Sequence, residues 1–149
     1  MTVRLPLLPR WLRWSVVALV GGFIFYTSIV TAPPETPIDY ARLWVDIALD
    51  KWRHFVAYAV LAGTLAYATD DWSLERRGIV LAVVSVTVLY GVGIEVGQSF
   101  LPGRYFSLGD ALANAVGALL VAPWYLLRRY VTFVGVRSWL RLFAPHSGR

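Results

Sequence analysis

The stretch that decides how this chain is organised is EVGQSFLPGRYFSLGDALAN, residues 95–114. It closes one long apolar run, turns at Pro102-Gly103-Arg104 and opens a second apolar run, so it predicts two helices joined by a short loop. Carboxylate, carboxamide and guanidinium side chains crowd into it, although the chain on both sides is apolar. Charged groups inside or beside membrane helices are costly, and by default they are candidates for function.

The composition is that of a membrane protein. Of 149 residues, 58% are hydrophobic and 15% are charged, whereas an ordinary soluble domain has about a quarter charged residues. A single membrane domain covering residues 1–149 is therefore predicted. The net charge of +5 is attributed to membrane topology rather than to nucleic-acid binding, because the basic residues flank the apolar runs. The absence of cysteine excludes a disulfide framework, a thiolate metal site and a cysteine nucleophile.

Four segments are apolar enough to be predicted as membrane spans, which need about 20 residues each. They cover residues 11–32, 52–69, 78–101 and 107–127. Lipid offers no partner to unpaired backbone groups, and the period-two alternation of membrane strands is absent. The prediction is therefore an all-α integral membrane four-helix bundle, whose first span is interpreted as an uncleaved helix and not as a signal peptide.

The segments outside the spans carry further predictions. Residues 38–49 predict a short interfacial helix, and Asp50 is interpreted as the N-cap of the second span. Residues 125–143 mix aromatic residues, leucine and arginine, which is typical of a basic amphipathic segment on a membrane surface. Pro123 is expected to kink the chain just before this segment.

The distribution of arginine and lysine predicts the topology. Ten basic residues fall on one side of the predicted spans: Arg4, Arg10, Arg13, Arg76, Arg77, Arg128, Arg129, Arg137, Arg141 and Arg149. Four fall on the other side: Arg42, Lys51, Arg53 and Arg104. Because positive charge favours the cytoplasmic side, both termini are predicted to be cytoplasmic. The Pro102-Gly103-Arg104 turn then faces outward.

A second group of polar residues opens the second span. Lys51, His54 and Tyr58 share a helix face, since they are spaced three and four residues apart. Counted at about 1.5 Å per residue, they reach the same depths as the polar residues of the third and fourth spans. An outward-facing polar pocket is therefore predicted. Its predicted ligand-binding residues are Lys51, His54, Tyr58, Glu95, Gln98, Arg104, Ser107, Asp110 and Asn114.

Structural roles remain open for most of these residues. Ser107 and Asp110 fit a helix capping box. Gln98 and Asn114 fit interhelical hydrogen bonds, and the histidine and tyrosine fit interfacial anchors. Glu95 is explained least well in this way, because a carboxylate within the membrane must find a partner or become neutral.

The same residues resemble the VanZ-like family of small bacterial membrane proteins. The matching pattern is Asp50-Lys51-x-x-His54-Phe55-x-x-Tyr58, Glu95-x-x-Gln98 and Pro102-Gly103-Arg104-x-x-Ser107-x-x-Asp110-x-x-Ala113-Asn114-x-x-Gly117. It lies within about residues 50–120, and the first span and the arginine-rich tail match no motif. The resemblance implies a multi-pass protein of the bacterial inner membrane. The family's name-giving member is associated with low-level teicoplanin resistance, which implies a role at the cell envelope.

Three hypotheses of function follow from the predicted pocket. The first is binding or handling of an envelope lipid, for example a glycolipid or peptidoglycan precursor, through its head group. The second is a membrane-embedded enzyme in which His54, Glu95 and Asp110 are candidate acid–base residues. The third is an accessory subunit of a larger membrane complex, with a protein partner. No cofactor or metal is predicted, because the chain lacks an HExxH-type signature and a phosphate loop.

Overall fold

The structure, a computed structural model, describes residues 2–31 and 43–142, and for residues 43–49 it describes the backbone alone. The described chain is mostly helical. Its helices are α1 (Arg10–Phe25), α2 (Leu43–Ala68), α3 (Arg76–Gln98), α4 (Leu108–Leu119), α5 (Val121–Leu127) and α6 (Val136–Arg141). A π-helical turn, Tyr26–Val30, extends α1. Two short strands, β1 (Val3–Leu7) and β2 (Val131–Gly135), complete the fold.

Three helical segments are long and apolar enough to cross a membrane. They are Arg10–Val30, Arg76–Gln98 and Leu108–Tyr130. The longest helix, α2, carries Asp50, Lys51, Arg53 and His54 two to three turns after its start at Leu43. The fold is thus mostly helical with three candidate spans, and a fourth crossing by α2 remains a prediction.

The strand pair corrects the all-α prediction. β1 and β2 pair in parallel, with Val3 opposite Val131 and Leu7 opposite Gly135. A two-stranded sheet is only marginally stable by itself, and here aromatic side chains support it. The Phe133 ring lies 5.4 Å from the Tyr67 ring of α2, and the Tyr67 hydroxyl donates to the Pro6 carbonyl at 2.9 Å.

The predicted basic amphipathic segment at residues 125–143 does not form one continuous element in its described part. It divides into the end of α5, a 3-10 turn, β2 and the short helix α6. Val131, Phe133 and Val134 are residue types that favour strands, but only a partner strand makes that preference decisive. That partner lies at the other end of the sequence, so no local pattern revealed it.

Three further predictions are tested by the helix boundaries. Residues 43–49 of the predicted interfacial helix form the start of α2, and its remaining residues lie outside the described part of the chain. Asp50 consequently lies within α2 and is not its N-cap. The helix of the last span is interrupted at Leu120, three residues before Pro123, whose ring opposes the carbonyl of Leu119.

The two ends of the bundle differ in charge. At the sheet end lie β1, β2, the start of α1 and the turn that joins α2 to α3. Nine of the arginines predicted to share one side belong to elements at this end, and Arg149 lies outside the described residues. Lys51, Arg53 and Arg104 belong to the opposite end, and Arg42 lies outside the described residues. The two groups of basic residues thus separate in space as predicted, while the side of the membrane that each end faces remains a prediction.

Arg13 links α1 to the end of α2 and to the turn that follows it. Its guanidinium is buried, and it donates to the carbonyl of Ala68 at 2.8 Å and to that of Tyr67 at 3.2 Å. These carbonyls belong to the last turn of α2, where helical partners are lacking and the helix dipole is negative. Arg13 also contacts the Asp71 carboxylate at 2.8 Å, and Arg10 contacts it at 3.0 Å. Arg13, which entered the sequence analysis only as one of the ten basic residues on one side, thus joins α1 to the end of α2.

The backbones of α2 and α4 are in close contact at Gly117. A Cβ atom placed on Gly117 would collide with the Phe55 carbonyl oxygen and would lie 3.1 Å from the Ala59 nitrogen. The two backbones therefore touch, as membrane helices do where small residues face a neighbour. This contact brings residues 50–54 of α2 beside the polar first turns of α4.

Replacing Gly117 with alanine should loosen this crossing. The added methyl group has no space, and overpacking of this kind costs about 1–3 kcal/mol of folding free energy. We expect a lower melting temperature for the Gly117→Ala protein in detergent, measured by circular dichroism. The matched control is Gly93→Ala, whose added Cβ meets no atom within 4 Å. Equal melting temperatures for the two variants would contradict the crossing.

Asp71 leads to a pH-dependent prediction. The hydrogen bond from Arg13 is the main cause that holds the pKa of Asp71 below its ordinary value. Because the folded-state pKa is the lower one, this pair stabilises the fold fully above about pH 4, the pKa of an unperturbed aspartate. The stabilisation is lost as the pH falls through the lowered folded-state pKa.

We therefore expect the melting temperature of the wild type to exceed that of Asp71→Asn by a constant amount above about pH 4. Below that pH the gap should shrink, because protonation removes the charge that the variant already lacks. Thermal unfolding in detergent over a pH series measures this gap. Gly93→Ala, which changes no ionisable group, is the control. A gap that keeps its full size at the acid end would count against the pairing.

Candidate functional site

The predicted site residues meet where α2, α3 and α4 approach one another at the end opposite the sheet. The contacts described below join seven residues, which we call the polar cluster. Its members are Asp50, Lys51, His54, Glu95, Ser107, Asp110 and Asn114. Three come from α2, one from the last turn of α3, and three from the beginning of α4.

Asp110 and Lys51 form the ion pair of the polar cluster. The Lys51 Nζ atom donates to Asp110 Oδ1 across the helix crossing, and it lies 3.4 Å from Asp50 Oδ2 on its own helix. Ser107 is the N-cap of α4, because its hydroxyl accepts the backbone N–H of Asp110 at 3.2 Å. The capping role proposed for Ser107 is thus present. The Asp110 carboxylate points instead to α2.

His54 occupies the middle of the polar cluster. Its Nδ1 atom lies 3.0 Å from Asn114 Oδ1, and its Nε2 atom lies 3.6 Å from Asp110 Oδ1. Its Nδ1 atom is also 3.9 Å from Glu95 Oε1. An amide oxygen only accepts hydrogen bonds, so Nδ1 donates to Asn114 and Nε2 is the nitrogen that faces Asp110. The ring thus connects two carboxylates from two different helices.

Glu95 is the innermost charged residue of the polar cluster. Its Oε2 atom accepts the backbone N–H of Ser107 at 3.4 Å, which ties the end of α3 to the beginning of α4. Its Oε1 atom has no hydrogen-bond partner among the residues that the structure describes. The same holds within that part of the chain for Asn114 Nδ2 and the Tyr58 hydroxyl. Three buried polar atoms therefore lack partners in one region.

Gly91 makes room for two of these side chains. A Cβ atom added there would lie 2.9 Å from the Tyr58 ring and 3.2 Å from Asn114 Nδ2. Gly91 precedes Glu95 by one helical turn, so the carboxylate lies on the same face of α3. The absence of a side chain at Gly91 thus lets α2 and α4 bring polar groups against α3.

Exposure falls steadily from the edge of the polar cluster to its centre. The exposed fraction of the side chain is 51% for Asp50, 35% for Lys51, 18% for His54 and 13% for Asp110. For Glu95 it is 1%. The polar cluster is therefore open on the side of Asp50 and closed at Glu95.

Two predicted site residues have other described contacts. Gln98 is buried, and its Nε2 atom donates to the Ser28 carbonyl at 3.1 Å, in the π-helical turn that follows α1. This bond fits the interhelical role that the sequence left open. Arg104 is partly buried in the loop after Gly103, whose φ of 74° favours glycine, and its backbone N–H donates to the Leu101 carbonyl at 3.2 Å. A ligand contact for either residue stays a prediction.

Asp50 is the site residue whose place the sequence analysis misjudged. Once α2 is known to begin at Leu43, Asp50 lies four residues before His54 and on the same face. Asp50, His54 and Asp110 each offer one ligand atom, and these atoms lie within 4.8 Å of one another. The spacing of Asp50 and His54 was visible in the sequence, but the assumed helix start concealed it.

Comparison with known proteins agrees with the motif pattern. The sequence model of the VanZ/LLP1 family matches residues 7–129. The chain belongs to the VanZ/LLP1 family. It is also 31% identical over 130 residues to the uncharacterized protein C11E3.10 of Schizosaccharomyces pombe, a match that covers 83% of this chain and 74% of the yeast protein. No solved structure matches.

The family match reaches beyond the motif-bearing region at residues 50–120. It includes α1 and its junction with the sheet end, where no motif was recognised. Family membership and the apolar helices support a membrane protein. The VanZ/LLP1 relative from fission yeast is described as uncharacterized, so it adds no activity, and a bacterial source for this chain remains a prediction.

The link between Glu95 and Ser107 allows a test with two variants. Glu95→Gln keeps an oxygen that accepts the Ser107 N–H, whereas Glu95→Leu removes it and keeps a similar volume. We expect Glu95→Leu to speed hydrogen exchange at residues 99–107, since the loop loses its tie to α3. Glu95→Gln should stay close to the wild type. Equal exchange in both variants would show that the bond does not hold the loop.

Proposed function

We propose that this VanZ/LLP1 protein binds the polar head group of a membrane lipid at the polar cluster. The proposal rests on three buried polar atoms that have no hydrogen-bond partner in the part of the chain that the structure describes. They are Glu95 Oε1, Asn114 Nδ2 and the Tyr58 hydroxyl. Buried polar atoms are nearly always paired in native proteins, and each unpaired one costs about 1–3 kcal/mol. A bound polar group would supply the missing partners.

The three atoms suggest the chemistry of the head group. A carboxylate oxygen accepts, an amide nitrogen donates and a phenol hydroxyl does both. This mixture suits hydroxyl or amino groups, as in sugar, glycerol or ethanolamine head groups. A bare phosphate suits the site less well, because Asp50, Glu95 and Asp110 outnumber Lys51, which is already paired with Asp110.

The position of the polar cluster supports a lipid as the source of that head group. The cluster lies at the end of α3 and the beginning of α4, where a membrane helix meets the head-group region, and α2 contributes residues two to three turns after its start. Large aromatic side chains are exposed at the same end of the bundle, a pattern typical of membrane interfaces. They are Trp52, Phe100, Tyr105 and Phe106. Lipids of the cell envelope are the class that the VanZ-like resemblance favours.

A second candidate function is acid–base catalysis on the same lipid. His54 lies between Asp110, at 3.6 Å from Nε2, and Glu95, at 3.9 Å from Nδ1. A histidine held between carboxylates can accept a proton and return it. Binding and catalysis are distinguished by the fate of the lipid, since only an enzyme returns a changed lipid.

Lipid retention tests the binding proposal. The full chain is purified in lipid nanodiscs made from a mixed lipid extract, and the co-purified lipids are measured by mass spectrometry. We expect one hydroxyl- or amine-bearing lipid class to be enriched by the wild type. Asn114→Ala and Glu95→Gln should reduce that enrichment by about tenfold, the loss expected from about 1.4 kcal/mol of binding free energy.

Thr87→Val is the matched control for these variants. Thr87 is also a buried polar residue of α3, but its hydroxyl donates to the Val83 carbonyl of its own helix at 2.8 Å. The lipid profile of the Thr87→Val protein should equal that of the wild type. Identical profiles in all four proteins would contradict the proposed binding site, and a modified lipid that depends on His54 would favour the enzyme.

A further inference from the structure

We infer that Asp50, His54 and Asp110 form a binding site for one divalent transition-metal ion at the open side of the polar cluster. Their ligand atoms lie within 4.8 Å of one another, and His54 Nε2 is 3.6 Å from Asp110 Oδ1. Two ligands bound to one zinc ion at about 2.1 Å lie about 3.4 Å apart in a tetrahedral site. The histidine and Asp110 are therefore already spaced to share an ion.

The surroundings of His54 point to a ligand independently. Asn114 Oδ1 accepts the hydrogen of Nδ1, which leaves Nε2, the nitrogen that faces the Asp110 carboxylate, as the one that binds a metal ion when it carries no proton. On the Nδ1 side lies the buried Glu95 Oε1, 3.9 Å away and without a hydrogen-bond partner among the described residues. A histidine that binds metal usually has a carboxylate or carbonyl behind its other nitrogen.

Lys51 shows that the two carboxylates already bind a positively charged group. Its ammonium group contacts both Asp110 Oδ1 and Asp50 Oδ2, the carboxylates that would bind the ion. A metal ion therefore competes with Lys51 for the same oxygens. Asp50 is half-exposed, so its side chain can turn toward the ion as the ammonium leaves.

The ligand set indicates the kind of metal. One imidazole nitrogen and two carboxylate oxygens suit zinc, manganese or ferrous iron better than calcium, which prefers oxygen ligands alone. With three protein ligands, the remaining positions are open to water or to a ligand group. This site lies beside the partnerless atoms of the proposed lipid pocket and does not depend on that proposal.

The test measures binding of zinc and of manganese to the full chain in nanodiscs. Isothermal titration is used for zinc and electron paramagnetic resonance for manganese. We expect one ion per chain. His54→Gln and Asp110→Asn should weaken binding at least about tenfold, and Asn114→Ala should weaken it about 10- to 100-fold through the orientation of His54.

Lys51→Met separates the inference from a general effect on folding. It keeps all three ligands and removes the competing ammonium, so it should bind the metal more tightly than the wild type. Asp71→Asn, which removes a carboxylate at the sheet end, is the control and should bind like the wild type. Absence of binding in both the wild type and Lys51→Met would overturn the inference.

Metal binding that survives in His54→Gln, or that falls equally in Asp71→Asn, would also overturn the inference.

Lipid retention measured with and without a chelator keeps the two proposals apart. The lipid pocket stands if the lipid is retained after the metal is removed, and the metal site stands if the ion binds in nanodiscs that lack the retained lipid.

Discussion

The backbone contact between α2 and α4 at Gly117 is the constraint on which the site depends. The Phe55 carbonyl occupies the space that a side chain at position 117 would need, so the backbones of the two helices are in direct contact there. Lys51 lies about one turn before Phe55 and His54 directly before it, while Asp110 lies about two turns and Asn114 about one turn before Gly117. A close crossing at this point is what lets these short-range polar contacts form.

The two ends of the bundle use charge in different ways. At the sheet end, Arg13 and Arg128 bind Asp71 and Asp70 and close the turn after α2, and each aspartate has an arginine partner. At the opposite end, the carboxylates of Asp50, Glu95 and Asp110 outnumber Lys51, the lysine that contacts two of them. Satisfied charge is typical of a structural joint, whereas unsatisfied charge is typical of a place that receives a ligand.

The proposed ion and the proposed head group fit one arrangement. Exposure decreases from Asp50 to Glu95, so a ligand that enters from the open side passes the carboxylates first and reaches the partnerless amide and carboxylate oxygen last. A metal ion beside His54 would offset the excess of negative charge that Lys51 alone does not balance. It would also allow oxygen atoms of a head group to approach Asp110, which otherwise repels anionic groups.

The sequence by itself determined the membrane character of the chain and the family resemblance, and it predicted that polar residues of three helices lie at matching depths. These follow from composition, spacing and the constant rise of a helix, which are local properties. Lys51, His54, Glu95 and Asp110 were predicted to converge, and the structure brings them into contact. Their predicted role as ligand contacts is still a prediction.

Only the tertiary structure decided the pairing of β1 with β2, the role of Arg13 and the position of Asp50. Strand pairing joins segments more than 120 residues apart, so it depends on a partner that no short window contains. Arg13 carries the same charge as its neighbours, but only the fold places it against the last carbonyls of α2. Asp50 changed from a predicted cap to a proposed ligand because residues 43–49 also belong to α2, which places Asp50 inside the helix.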